Sequence, residues 1–130
     1  MDKVSELHGI LGKYFNWHKS RVACLTQMLI ALFTVKTVNL CELAVAMVSK
    51  TKIDSREQRL YRFFAHFEID FTSIATWLMK LFIVDGEKIY VAIDRTNWFW
   101  GKSPINIFML SICFEGIAIT ILWTVLPKDG

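Results

Sequence analysis

The chain has no C-x-x-C pair and no His/Cys spacing suited to a metal. That argues against a zinc finger and a dithiol redox motif. Its three cysteines, Cys24, Cys41 and Cys113, are widely separated in apolar stretches. They read as reduced core thiols of a cytoplasmic protein. The opening Met1-Asp-Lys-Val-Ser-Glu is polar, which does not fit a secretory leader. The longest uncharged runs, 22–35, 103–114 and 116–127, fall short of the ~18 residues a spanning helix needs, so no membrane partner is expected. Internal repeats and low-complexity linkers are also missing. His8, His18 and His66 have no mutual ligand spacing and read as ordinary surface or core histidines.

What is abundant is apolar side chain, 54% of 130 residues, with ten Phe and five Trp. That is too much for a disordered tail and enough to fill one domain or one and a fraction. A net charge of +3 is compatible with a polyanionic partner without requiring one.

The first two-thirds follow helical spacing. Val4, Leu7, Leu11, Tyr14 and Phe15 mark one helix, although Gly9 and Gly12 weaken it. Residues 20–35 are apolar on nearly every face, as in a helix buried among others. Asn39 with Glu42, and Asp54 with Glu57, resemble capping boxes at the heads of two further helices, the second over 55–67. A last helix carries Phe71, Ile74, Leu78, Leu81 and Phe82, and Asp85-Gly86 ends it.

The period then changes to that of strands. Lys88 to Asp94 alternates Ile89, Val91 and Ile93 against Tyr90, Ala92 and Asp94. Strands over 105–114 and 117–125 are joined by Glu115-Gly116, a pair suited to a tight hairpin. Both are apolar on both faces, the habit of central strands in a covered sheet. The expected fold class is α+β, with a helical module over 1–85 followed by three antiparallel strands over 86–130.

Two features could carry chemistry. In the helix over 55–67, Leu60, Phe63, Phe64 and Phe67 share one face, with Arg59, Arg62 and His66 as a basic stripe beside it. Such a stripe could track phosphates, although a solvated helix face is the commoner reason for it. Asp94 ends its expected strand as a lone carboxylate, a position from which a rigid strand could hold Mg²⁺ or Mn²⁺. Asp is also a frequent turn-former at a strand end. Glu115 falls at the opposite edge of the sheet, and Asp129 reads as a solvated loop residue, so neither completes a site with Asp94.

The segments Tyr90-Val-Ala-Ile-Asp-Arg-Thr-Asn-Trp98, Trp100-Gly-Lys, Ile105-Asn-Ile and Gly116-Ile-Ala-Ile-Thr-Ile-Leu-Trp123-Thr resemble bacterial insertion-sequence transposases of the DDE, RNase H-like class. The branch with the IS-four-type enzymes is the nearest. Asp54-Ser-Arg-Glu-Gln-Arg-Leu-Tyr-Arg-Phe-Phe64 is similar to the end of that family's N-terminal DNA-binding region. The resemblance implies that the strands begin an RNase H-like catalytic domain, here truncated, and that the helices form a DNA-binding bundle. It implies that Asp94 is the first catalytic Asp and a ligand for Mg²⁺ or Mn²⁺ in DNA strand cleavage and transfer. It places Arg59 and Arg62 in the region expected to help hold transposon-end DNA.

The family's second Asp and its Glu, within a Tyr-Arg-Glu-Lys signature, lie beyond the third strand and are not among these 130 residues. Thr120 stands where relatives commonly carry Pro. The expectation is the N-terminal portion of a transposase, inactive alone, with self-association or a full-length transposase as further partners. The competing expectations are a small DNA-binding regulator of the full-length enzyme and a non-functional pseudogene product.

Overall fold

The computed structural model describes residues 2–127 and contains five helices followed by a three-stranded antiparallel sheet. The α+β class therefore holds. The chain divides into two compact units, the first ending at Ile69 and the second beginning at Asp70. This boundary falls ahead of the last helix, whereas the sequence pattern set it near residue 85.

The first unit contains α1 (Lys3–Tyr14), α2 (Lys19–Val35), α3 (Leu40–Ala46) and α4 (Ile53–His66). Three of these begin with a side-chain cap. Asp2 accepts from the amide of Ser5, His18 from that of Ser20, and Asn39 from those of Cys41 and Glu42. The Asn39 cap is the one expected from its spacing to Glu42. The second expected box does not form, because α4 starts at Ile53 with Lys52 at its cap position and no side-chain cap bond. Asp54 already lies in the first turn, and Glu57 instead accepts a hydrogen bond from the Cys41 thiol at 2.9 Å.

The core of this unit gathers Cys24 and Ala31 of α2, Leu43 and Ala44 of α3, Met47, and Leu60 and Phe63 of α4. Trp17 closes it, stacked on Phe15 at 4.5 Å and edge-on to Phe67 at 4.9 Å. The apolar face expected of α4 is only partly buried, since Phe64 is 52% exposed. Helix α2 is not buried all round either, because Phe33 is 82% exposed.

Arg56 ties the segment between α3 and α4. Its guanidinium donates to the carbonyls of Met47 (2.9 Å), Ser49 (2.8 Å) and Thr51 (2.8 Å), and more loosely to Ala44 (3.3 Å). These include carbonyls that the end of α3 leaves without helical partners.

The second unit contains α5 (Phe71–Phe82), capped by Asp70, and strands β1 (Tyr90–Trp100), β2 (Ser103–Phe114) and β3 (Ile117–Leu126) in the order β1-β2-β3. Ala75, Leu78 and Phe82 of α5 pack against Leu110, Ile112, Ile119 and Ile121. The turn between β2 and β3 has φ +49° at Glu115 and +79° at Gly116, the two left-handed residues a tight hairpin requires. The turn between β1 and β2 uses Gly101 at φ +58°.

β3 carries a bulge opposite Leu110 and Ser111, where the hydroxyls of Ser111 and Thr120 lie 3.2 Å apart. Ile117, Trp123 and Val125 are 64%, 49% and 62% exposed, although Trp123 meets the Phe71 ring of α5 at 4.8 Å.

Candidate functional site

Asp94 is not at the end of its strand. β1 runs on to Trp100, which makes Asp94 its fifth residue, paired with Met109 of β2. The strand continues because Trp98, Phe99 and Trp100 favour extended backbone, and the chain turns only at Gly101. The Asp94 side chain turns back on its own backbone, with Oδ1 accepting from the Arg95 amide at 2.8 Å.

Alternation along the strand places Asp94 with Tyr90, Ala92, Thr96 and Trp98. Leu110 and Ile112, which pack against α5, belong to the other face. Asp94 is therefore exposed on the face opposite that of Leu110 and Ile112.

A hard divalent cation takes six or more oxygen ligands, and a two-metal site needs several carboxylates. Among the described residues no three His, Cys, Asp or Glu side chains are grouped to hold a metal ion. Glu115 lies in the turn after Cys113, the partner of Tyr90, and so is well along the sheet from Asp94. Asp129 lies outside the described residues. The side chains around Asp94 do not fit a Mg²⁺ or Mn²⁺ site by themselves.

Arg59 and Arg62 do meet, in a cleft of about 200 Å³ between α2 and α4 that is lined by Ser20, Arg21, Cys24, Arg59, Arg62 and Phe63. Arg59 is half-buried and folded back onto α2, with Nη1 donating to Gln27 Oε1 at 3.1 Å and Nη2 to the Ser20 carbonyl at 2.9 Å. Arg62, one turn on, is exposed. Arg21 enters the same cleft from α2, its guanidinium 5.0 Å above the Phe67 ring. Burial pushes the Cys24 thiol up, and the positive charges of Arg59 and Arg21 oppose that shift. His66, the third member of the expected stripe, is exposed and does not line the cleft.

Sequence reasoning missed Arg21. It lies 38 positions before Arg59, and only the packing of α2 against α4 brings the two together. Its (i, i−1) neighbour Ser20 and its place in the first turn of an apolar helix gave no separate signal.

The cysteines also differ from expectation. All three are unpaired, but only Cys24 is buried, while Cys41 and Cys113 are exposed. The Cys41 thiol is pushed up chiefly by its hydrogen bond to the Glu57 carboxylate. Among the described residues no single helix is long and apolar enough to cross a membrane. The pair α2 and α3 meets that measure only together, bent by 98°.

Comparison with protein-family models, curated proteins and solved structures gave no match.

Proposed function

We propose that the chain is the N-terminal portion of an insertion-sequence DDE transposase, whose helical unit binds DNA and whose sheet begins the RNase H-like catalytic domain. One observation carries this reading. The separated segments that resemble the family fold together into one antiparallel meander, with Asp94 exposed on its first strand. A catalytic domain that uses this Asp as a metal ligand needs it on a rigid strand with its carboxylate accessible. Arg59 and Arg62, assigned to transposon-end DNA, sit in one basic cleft of the helical unit.

Among the described residues Asp94 belongs to no group of three metal-ligating side chains, so on this reading the 130 residues bind DNA and do not cleave it. Incubation of the purified chain with insertion-sequence-end DNA and Mn²⁺ tests the point. Binding without nicking is expected, and nicking that Asp94→Ala abolishes would overturn the inactive assignment.

A second reading is a small regulator that occupies the ends and inhibits full-length transposase. The separate core of the helical unit supports it, since that unit has the packing to act without a catalytic sheet. Added to a transposition reaction, the chain would then lower product in proportion to its occupancy of the ends.

A further inference from the structure

Arg21, Arg59 and Arg62 converge on one cleft with no carboxylate to neutralise them. The lining holds no acidic residue, and none of the three is ion-paired among the described residues. Like charges brought together repel, and the repulsion is strongest where neighbouring apolar groups limit solvent. Cys24 and Phe63, both buried, supply such walls here. An anion in the cleft would remove that repulsion.

Each arginine is left with donors to spare. A guanidinium carries five N–H groups. Arg59 uses one on Gln27 and one on Ser20, and those bonds fix its position while leaving the others free. Arg21 lies over the Phe67 ring, an arrangement that holds the guanidinium by its flat face and leaves its N–H edge open. Arg62 has an exposed side chain on the turn after Arg59.

Two guanidiniums preset by packing and one exposed beside them match a tetrahedral oxyanion, whose oxygens accept forked, charge-assisted hydrogen bonds. The Ser20 hydroxyl is engaged with His18 Nδ1 at 2.8 Å, so the arginines are the principal donors.

We propose that Arg21, Arg59 and Arg62 seat a single phosphate group, and that this group is a backbone phosphodiester of DNA, the latter resting on the DNA-binding reading above. Arg21 is the new assignment. Arg59 is the fixed member, held by α2, and Arg62 the adjustable one that closes on the phosphate.

The test uses the full chain with two probes, inorganic phosphate and a labelled DNA duplex. Arginine side-chain NH signals are followed by NMR with the first, and binding against salt with the second. Inorganic phosphate is expected to shift the Arg21, Arg59 and Arg62 signals together. Arg62→Ala is expected to weaken duplex binding roughly tenfold at low salt and to reduce the salt slope by about one.

Arg62 is exposed, so that variant keeps the fold. Arg21→Lys keeps the charge and loses the fork, and is expected to weaken both probes. Phosphate shifts without duplex binding would retain the seat and overturn DNA as the source of its phosphate. Duplex binding unchanged in both variants would overturn the seat and leave the DNA reading standing. No shift and no binding would overturn both.

Discussion

Arg59 in α4 donates from Nη2 to the carbonyl of Ser20 at the start of α2, at 2.9 Å and across 39 positions of sequence. One side chain thus joins two helices of the first unit and fixes a wall of the basic cleft. Its neighbour Arg62 is exposed and belongs to the same cleft.

The two arginines should separate in stability. Arg59→Ala removes bonds to Gln27 and Ser20 from a half-buried site and is expected to cost about 1–2 kcal/mol. Arg62→Ala should stay within about 0.5 kcal/mol of the parent chain. Urea denaturation of the two variants makes the comparison, and equal losses would show that the Arg59 bonds carry no weight.

Arg56 should matter more than either. Its guanidinium serves carbonyls from Ala44, Met47, Ser49 and Thr51. Arg56→Ala leaves several of these without a donor and is expected to cost about 2–3 kcal/mol. Arg56→Lys should recover only part of that, because an ammonium cannot reproduce the fork. Full recovery by Lys would contradict the capping role.

Asp70 predicts an acid limb for the second unit. Its carboxyl is held below the ordinary value of 3.8, first by the Ser73 hydroxyl and then by amides of the α5 first turn. A depressed folded value means that the contribution is complete above about pH 4 and is lost as pH falls through the folded value. Asp70→Ala should remove that pH dependence and lower stability at neutral pH. The measurement is thermal unfolding followed against pH, and an unchanged acid limb in the variant would refute the assignment.

Gly116 should resist substitution although its surroundings are open. A Cβ there would meet nothing within 4 Å, yet φ is +79°. Gly116→Ala is expected to cost about 1 kcal/mol through backbone strain alone. A hairpin of unchanged stability would argue that the turn relaxes to another conformation.

Local chemistry was the legible part of this chain. Asn39 caps α3 by bonding amides two and three residues on, and Glu115-Gly116 adopts its turn through its own φ angles. Neither depends on distant residues, so spacing sufficed. The helices and strands followed hydrophobic period for the same reason.

What packing decides was hidden. Asp54 had the spacing of a cap, but α4 began earlier at Ile53 and left it inside the first turn. Asp94 looked like a strand terminus. Its carboxylate instead bonds the next amide, and the pairing with Met109 carries the strand through it. Arg21 joined the basic cleft only through the packing of α2 on α4.

The measurement that bears most directly on the DNA-binding account is fluorescence anisotropy of a labelled duplex carrying an insertion-sequence end. It is titrated with the full chain at low salt and repeated with Arg59→Ala/Arg62→Ala. The account predicts saturable binding that weakens as salt is added and falls roughly tenfold or more in the double variant. Binding of equal strength in both proteins, or no binding by the parent chain at low salt, would contradict it.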